Sequence, residues 1–330
     1  MSHLPGLDVL ESAATLVYRT VAPTPQYAWP LLSEALGTTV WVKHENHAPT
    51  GAFKARGAMV HLDRLRREQP QCRGVVAATR GNFGQAIGFA ARHFGFSATL
   101  CVPLGNSPEK NAAMRSLGVE LVEHGHDFQA AREHATALAE QRGLPFLDSF
   151  HGDLVLGVAS YWLEFMRAVP TLEVVYVPIG QGSGICGAIA ARAALGRRLR
   201  IVGVVSSHAT AYLQSFHARR AIEAPVSTRL ADGLACRVPH PAALATILAG
   251  ADDVVAVSDP AIAAAMRLMF RATHNTAEGA GAAALAAAWN DRATLSGRTV
   301  GVTLTGSNVD TDVFAGVLAG TFNGTEEGGA

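Results

Sequence analysis

The sequence predicts an α/β fold with mainly parallel sheets, because short runs of β-branched residues alternate with longer helical patterns along nearly the whole chain. With 330 residues and 49% hydrophobic content, the chain can bury one large core or two linked ones. The predicted strands are 38–43, 74–79, 98–103, 119–124, 173–178, 200–206, 253–258 and 298–305. Helical segments fill the intervals between them, as βα units require.

Local start and stop signals place several of the helices. Ser107 followed by Pro108 predicts an N-cap with proline in the first helical position, and Ser258 precedes a second proline in the same way. The run 127–143 has apolar residues at helical spacing and ends on Gly143, a common C-terminal stop. We expect this run to be a covering helix without a chemical role.

Composition narrows the class of partner. The 27 basic and 27 acidic residues cancel, and no basic block follows a phosphate backbone, so we expect a small molecule and not nucleic acid. No apolar run approaches the length of a membrane span, and the N-terminus lacks the features of a signal peptide. These features predict a cytoplasmic protein. The four isolated cysteines, Cys72, Cys101, Cys186 and Cys236, are expected to be buried thiols, without a zinc cluster or disulfides.

The first candidate functional residue is Lys54, in the segment HAPTGAFKARGAMVH. Gly51, Gly57 and Ala58 allow a planar ligand to approach the backbone closely, and Phe53 supplies an apolar wall. A desolvated amine loses part of its preference for the charged form and can then attack an aldehyde. An ordinary surface lysine is the alternative interpretation.

The second candidate is a glycine-rich loop within 177–195, where a predicted strand gives way to a helix. Converging N–H groups and a helix N-terminus would hold a phosphate there. The glycines also fit the G-x-G-x-x-G spacing of dinucleotide folds, which would indicate an NAD-linked dehydrogenase. That class needs an acidic residue at the end of the next strand, which instead ends in Ser206 and Ser207. A tight turn without a ligand is the third possibility.

The third candidate is the strand-loop-helix transition within 78–95, where Asn82 lies between Gly81 and Gly84. Asn82 could tolerate a left-handed turn or cap the helix. Its amide could equally hold a ligand oxygen while neighbouring N–H groups bind a carboxylate.

Taken together, these segments resemble the pyridoxal-phosphate enzymes of fold type II, the tryptophan synthase β-subunit type, and most closely their serine/threonine dehydratase (ammonia-lyase) branch. The resemblance covers roughly residues 20 to 320. Its motifs are Thr24-Pro25, VKHEN (42–46), PTGAFKARGA (49–58), TRGNFGQ (79–85), VPIGQGSG (177–184), AEGAGAAA (277–284) and LTGSN (304–308).

The resemblance implies a set of cofactor contacts. Lys54 would form the Schiff base with pyridoxal phosphate beside Phe53, and Asn82 would contact the ring hydroxyl. The phosphate would lie on the loop formed by Gly180, Gln181, Gly182, Ser183 and Gly184. Thr305 would face the pyridine nitrogen, where a neutral hydroxyl gives a weaker electron sink than a carboxylate and suits β-elimination.

The resemblance also implies two open, twisted, mainly parallel sheets with flanking helices. Residues 1–53 and 152–320 would form a large cofactor-binding domain, and 54–151 a smaller mobile domain inserted in it. The tail 321–330 is expected to be disordered, and a homodimer is the expected assembly.

The reaction so implied is α,β-elimination of water from a β-hydroxy amino acid of the serine/threonine kind, which gives a 2-oxo acid and ammonia. Lys54 would be the base that removes the α-proton. The substrate carboxylate would lie on the loop that contains Thr79, Arg80, Gly81, Phe83 and Gln85.

The chain departs from the family in this loop, where many relatives read Ser-Ser-Gly-Asn-His. Arg80 is a poor proton donor where racemases place a serine, so dehydration is favoured over racemisation. Arg80 could instead attract a carboxylate. Phe83 could pack in the core, or favour a bulkier substrate such as phenylserine.

A second departure concerns a divalent cation that some relatives bind. In TRLADG (228–233) Asp232 remains, but Thr228 replaces the family's glutamate. A hard cation needs several oxygen ligands, so the sequence predicts no complete site, and Asp232 and Glu278 are the candidate ligands. The alternatives left open for the function are a β-replacement synthase, an amino-acid racemase, an NAD-linked dehydrogenase and a non-catalytic cofactor carrier.

Overall fold

The computed structural model describes residues 4–322 and confirms an α/β fold with two mainly parallel sheets. The predicted tail 321–330 lies outside the described residues from position 323 onward. The strands are β1 (Gln26–Ala28), β2 (Thr39–His44), β3 (Gly74–Ala78), β4 (Ser97–Val102), β5 (Glu120–Glu123), β6 (Phe146–Leu147), β7 (Val174–Pro178), β8 (Arg200–Ser206), β9 (Asp253–Val257) and β10 (Thr299–Leu304).

Helices connect and cover these strands. They are α1 (Leu7–Val17), α2 (Pro30–Leu36), α3 (Lys54–Glu68), α4 (Asn82–Phe94), α5 (Pro108–Ser116), α6 (Phe128–Arg142), α7 (Gly152–Ala168), α8 (Ser183–Ala194), α9 (Ala211–Ala218), α10 (Pro241–Gly250), α11 (Asp259–Thr273), α12 (Gly279–Asp291) and α13 (Thr311–Ala319). Short 3₁₀ turns lie at Glu45–His47, Asp232–Leu234 and Arg292–Thr294.

The larger sheet has six strands in the order β1-β2-β10-β7-β8-β9, and the smaller has four in the order β5-β4-β3-β6. All strand pairs are parallel except β1 with β2. Every strand of the smaller sheet falls within 54–151, and every strand of the larger sheet falls outside it. The division into a large and a mobile small domain stays a prediction.

The eight predicted strands are confirmed, each within one residue at either end. Strands β1 and β6, which are three and two residues long, were not predicted. Segments this short carry no readable period, and their pairing with β2 and β3 is what makes them strands.

The predicted helix signals are also confirmed. The Ser107 hydroxyl accepts a hydrogen bond from the Lys110 N–H at 3.0 Å, and Ser258 caps α11 in the same way. Helix α6 occupies nearly the whole predicted run 127–143 and ends where Gly143 takes a left-handed conformation, with φ 62°.

Two apolar cores lie on the opposite faces of the larger sheet. Side chains alternate along each strand, so Val174 packs with α11 and α12 on one face while Val175 packs with α7 and α8 on the other. The alanine-rich helix α12 is buried along Gly279–Ala288, where small side chains let it lie directly on the strands. A third core fills the smaller sheet and includes residues of α3 and α4.

The cysteines are free thiols, as predicted, and Cys101, Cys186 and Cys236 are buried. Burial raises the pKa of Cys101 to about 11 and those of the other two to about 12, so these thiols stay protonated and unreactive. Cys72 is only partly buried. Within residues 4–322, no helix combines the length and the apolarity that a membrane crossing requires.

Helices α3 and α7 approach each other closely because each presents a glycine. A Cβ added at Gly157 would lie 2.2 Å from the backbone oxygen of Arg56, which is far inside contact distance. We expect Gly157→Ala to force the helices apart and to lower the free energy of unfolding by about 2 kcal/mol, measured by urea denaturation.

Gly152→Ala is the matched control, since Gly152 lies in the same helix with no atom within 4 Å of the added Cβ. Its free energy of unfolding should stay within about 0.5 kcal/mol of the parent protein. Equal effects of the two substitutions would contradict the tight α3–α7 contact.

Candidate active site

Lys54 is the first residue of α3 and lies beside the carboxyl end of β10. The Phe53 N–H donates to the Thr305 carbonyl at 3.1 Å, and an isolated bridge joins Ala52 to Gly306. These backbone contacts fix the start of α3 against the larger sheet. Lys54 and Thr305 therefore lie at the same strand end.

Lys54 differs from the other two lysines of the chain. Lys43 pairs with Glu164 and Lys110 with Asp232, at 2.5 and 2.6 Å. Within residues 4–322, the Lys54 amine has no hydrogen-bond or ion-pair partner. Its Nζ lies 5.0 Å from the centre of the Phe53 ring. The lysine that the motif singles out is thus the one without a counterion in direct contact.

Burial lowers the pKa of Lys54 to about 8, although the nearby carboxylate of Glu278 opposes the shift. A free lysine side chain has a pKa near 10.4, so it is almost wholly charged at neutral pH. Lys54 has a much larger neutral fraction there. The neutral amine is the form that attacks an aldehyde carbon.

Asn82 opens helix α4, and its amide is oriented by two hydrogen bonds. The Asn308 side chain donates to its oxygen at 2.7 Å, and its own nitrogen donates to Glu278 Oε1 at 2.6 Å. One N–H of the Asn82 amide is therefore still available. It could donate to a ligand oxygen, which is the role that the resemblance implies.

Glu278 is the N-cap of α12 and is 3% exposed. Its Oε2 atom is buried without a hydrogen-bond partner in the described part of the chain. Burial raises the pKa of Glu278 to about 7, against the lowering effect of the Lys110 ammonium. A carboxyl group that titrates near neutrality beside Lys54 is a feature that active sites often show.

The glycine loop joins β7 to α8, and its geometry suits an anion. Gly182 has φ 105°, and a Cβ on Gly180 would lie 2.3 Å from the backbone oxygen of Gly233. Tyr212 donates to the Gln181 carbonyl at 3.0 Å, and Trp162 donates to the Gly184 carbonyl at 2.9 Å.

These hydrogen bonds use carbonyl groups of the loop and do not involve the N–H groups at the start of α8. Within the described residues, no acceptor receives the N–H groups of Gly182, Ser183 and Gly184. Unsatisfied N–H groups at a helix N-terminus form a site for a phosphate. The loop, the uncompensated Lys54 and the free N–H of Asn82 therefore fit a phosphorylated aldehyde cofactor.

Residues of the loop 79–85 have two different roles, since some shape the loop and others carry donors that a substrate could use. The buried Thr79 hydroxyl accepts from the N–H groups of Gly81 and Gly84, at 3.1 and 2.9 Å, so Thr79 shapes the loop. The N–H groups of Asn82 and Phe83 have no acceptor within residues 4–322, and Gln85 Nε2 is buried without a partner. These donors are the ones available to a substrate carboxylate.

The side chains of Arg80 and Phe83 are not among these donors. Arg80 is exposed, and its side chain contacts no acid within the described residues. Phe83 is 6% exposed and belongs to the core of the smaller sheet, which includes Leu100 and Met114. Phe83 therefore packs, which is one of the two roles that the sequence leaves open.

The candidate cation ligands have other partners. Asp232 binds the Lys110 ammonium, and Glu278 accepts from Asn82. Thr228, where the family has glutamate, donates to Asp259 at 2.9 Å. Among the described residues, one cluster brings three side chains of metal-binding types (His, Cys, Asp or Glu) close together. That cluster contains neither Asp232 nor Glu278.

Lys110 is a site residue that the sequence analysis missed. It lies on α5, and its stem lies against Gly81, since a Cβ there would be 2.7 Å from the Lys110 Cδ. Burial lowers its pKa, but Asp232 and Glu278 outweigh this effect and the pKa is raised. Lys110 is thus a cation that links the loop of the smaller sheet to the larger sheet.

A buried ionic cluster close to Lys54 in the chain was also missed, although all its residues except Glu164 lie in the quoted motifs. Arg56 donates to Glu45 at 2.7 Å and to Glu164 at 2.6 Å. Thr24 donates to Glu45 at 2.6 Å, and Lys43 completes the cluster through Glu164. The arginine, the lysine and the two glutamates balance in charge and hold the first turn of α3 in place.

Comparison with known proteins matches residues 17–306 to the family described as pyridoxal-phosphate dependent enzyme. The L-threonine ammonia-lyase of Geobacter sulfurreducens is 36% identical over 87% of this chain and 71% of its own.

Two solved structures resemble the fold closely. The processed form of threonine deaminase isoform 2 from Solanum lycopersicum has a TM-score of 0.87 at 25% identity, covering 96% of this chain and 94% of its own. Maize serine racemase has a TM-score of 0.89 at 25% identity, covering 96% and 98%. Lyases and racemases thus share this fold.

Replacing Arg56 tests the buried cluster. We expect Arg56→Met to lower the free energy of unfolding by about 3–5 kcal/mol in urea denaturation, because Glu45 and Glu164 lose their shared partner inside the protein. The control is Arg67→Met, which removes the exposed Arg67 from its pair with Asp63; Asp63 keeps Arg66 as a partner, so the change should cost at most about 1 kcal/mol. A stability loss for Arg56→Met no larger than the control's would contradict this interpretation.

The lowered pKa of Lys54 predicts how the cofactor-free protein takes up pyridoxal phosphate. Only the neutral amine attacks the aldehyde, so the uptake rate followed by visible absorbance should rise with pH through a midpoint of about 8. Glu278→Gln removes a carboxylate that favours the Lys54 ammonium, so the midpoint should move to lower pH.

The control for this shift is Glu133→Gln, which changes an exposed carboxylate on α6. It should leave the midpoint unchanged. A midpoint near that of free lysine, or the same midpoint in Glu278→Gln, would contradict the coupling of the two groups.

Proposed function

Because the chain belongs to the family of pyridoxal-phosphate-dependent enzymes, we propose that it is an ammonia-lyase that removes water from a β-hydroxy amino acid of the serine/threonine class. The products are a 2-oxo acid and ammonia. Two curated relatives that match most of this chain are L-threonine ammonia-lyases, and they support a pyridoxal-phosphate-dependent lyase with this chemistry. The single structural observation that carries the proposal is that Lys54, within the described residues, has no counterion in direct contact and has a pKa lowered by burial.

Residues next to both sheets would contribute to binding of the cofactor. Lys54 would hold its aldehyde carbon, Asn82 its ring hydroxyl and the Gly180–Gly184 loop its phosphate. Thr305 would face the ring nitrogen and Phe53 would line the ring. Bound pyridoxal phosphate supplies an electron sink that stabilises charge at the substrate Cα.

The chain's own groups then carry the proton steps. The substrate carboxylate would accept from the N–H groups of Asn82 and Phe83, and from the unpartnered Gln85 amide. The substrate amine would displace Lys54 from the aldehyde carbon, and the freed neutral amine of Lys54 would then take the Cα proton. The Cβ–O bond then breaks, the hydroxyl leaves as water after it gains a proton, and hydrolysis of the enamine releases the oxo acid and ammonia.

Arg80 supports dehydration over racemisation. Inversion at Cα requires a proton donor on the face opposite Lys54, and a guanidinium group does not give up a proton at neutral pH. The side chain is also exposed to solvent. The fold itself does not decide this point, since maize serine racemase shares it.

Phe83 gives no support to a bulky substrate, because its ring packs in the core of the smaller sheet. We therefore propose threonine or serine as the substrate and keep phenylserine as the alternative. A β-replacement synthase would use the same lysine and would differ in adding a nucleophile. The cytoplasm as location and a homodimer as assembly belong to the same proposal.

The test is formation of 2-oxo acid and ammonia by the cofactor-loaded protein with serine, both threonine diastereomers, 3-hydroxyaspartate and phenylserine. We expect turnover of threonine or serine without inversion of the remaining substrate. Lys54→Ala should lose turnover. Oxo acid formation by none of the panel, with cofactor bound, would contradict dehydration and direct attention to β-replacement.

Covalent mapping gives an independent measurement. The chain contains three lysines, so borohydride reduction of the loaded protein followed by peptide mass analysis has three possible outcomes. We expect the reduced cofactor on Lys54, because Lys43 and Lys110 are held in ion pairs. Label on either of those two would contradict the assignment of the site.

A further inference from the structure

A second group of ligand-type side chains lies on the outer side of the α3–α7 contact, away from the residues discussed for the cofactor. It consists of His61 on α3, His151 immediately before α7, and Asp153 in the first turn of α7. One potential ligand atom from each residue lies within 4.8 Å of the other two. We propose that these residues form a binding site for a divalent transition-metal ion, best suited to zinc.

The distances carry the first step of the argument. Asp153 Oδ2 lies 3.0 Å from Nδ1 of His61 and 3.2 Å from Nδ1 of His151. Tetrahedral zinc binds nitrogen and oxygen at about 2.0–2.2 Å, which places neighbouring ligand atoms about 3.3 Å apart. Each imidazole nitrogen therefore lies from the carboxylate oxygen at about the spacing that zinc requires, and all three ligand atoms lie within 4.8 Å of one another.

The hydrogen bonds carry the second step. His151 Nδ1 accepts from the backbone N–H of Asp153 at 3.2 Å, so this nitrogen presents a lone pair and no proton. The same nitrogen faces Asp153 Oδ2, which also presents lone pairs. An imidazole nitrogen has one lone pair, so a bound cation would replace the Asp153 N–H as the partner of His151 Nδ1 and would at the same time bind Asp153 Oδ2, 3.2 Å away.

The surroundings of Asp153 carry the third step. Its side chain is 3% exposed, and Arg64 donates to the other carboxylate oxygen, Oδ1, at 3.0 Å. Arg64 therefore fixes the orientation of the carboxylate from outside and leaves Oδ2 to the imidazoles. Metal-binding carboxylates commonly have such a second hydrogen-bonding partner.

The ligand types decide the metal. Two imidazoles and one carboxylate suit zinc and related transition metals better than calcium or magnesium, which prefer oxygen ligands. Three protein ligands leave one position for water. His151 is about half exposed, so an ion can reach the site from solvent. A bound ion would join the start of α7 to α3, the helix that begins with Lys54.

The test is zinc binding to the full chain, loaded with cofactor and freed of excess cofactor, at about pH 7.5, where imidazoles are largely neutral. We expect equilibrium dialysis with metal analysis to find one zinc ion per chain. His61→Ala and His151→Asn should each weaken binding at least tenfold. Asparagine retains a capping side chain before α7, so His151→Asn should preserve the helix start.

The matched control is His124→Ala. His124 and His134 stack at 4.0 Å between ring centres and form no ion pair with a carboxylate in the described residues. This variant should bind zinc as the parent protein does. Cobalt(II) in place of zinc should give the visible absorption of a four-coordinate site in the parent protein, and not in His61→Ala.

Two outcomes would overturn the proposal. One is the absence of stoichiometric zinc binding. The other is equal binding by the parent protein, His61→Ala and His151→Asn, which would place the ion elsewhere. Neither outcome bears on the proposed lyase activity, which is measured separately and does not use these residues.

Discussion

The position of Lys54 depends on the buried ion pairs that the guanidinium group of Arg56 forms. This group is fully buried and binds Glu45, after β2, and Glu164, on α7. Removing one partner from a buried ion pair leaves an uncompensated charge that costs several kcal/mol. The first turn of α3 is therefore restricted to the one arrangement that keeps all these charges paired. Lys54 precedes Arg56 by two residues, so the same constraint sets the direction of its side chain.

This constraint also explains why the chain can use an amine without a counterion at its reactive position. Lys43 and Lys110 are neutralised by carboxylates in direct contact, and both stay outside the chemistry. Lys54 has Glu278 nearby but not in contact, so burial lowers its pKa while the carboxylate limits the shift. Fixing the backbone through the Arg56 cluster lets the protein leave Lys54 itself unpaired.

The sequence predicts the scaffold well where periods and motifs are long enough to read. The eight longer strands and the loop around Asn82 are such cases. Contacts between distant segments carry no such signal: Lys110 reaches Asp232 only because α5 lies over the 3₁₀ turn that contains it. Phe83 is a different case, since the sequence leaves both packing and a role in substrate binding open for its side chain, and its ring packs in the core. Motif position alone does not separate a side chain that faces the ligand from one that supports the loop.

The site is bounded by two kinds of contact with different physical consequences. On one side of it the smaller sheet meets the larger one through polar pairs, Asn82 with Glu278 and Lys110 with Asp232. Along α3 and α7 the contact is backbone against backbone at Gly57 and Gly157, and it tolerates almost no displacement. Lys54 begins α3, so its backbone belongs to the tightly packed side of the site.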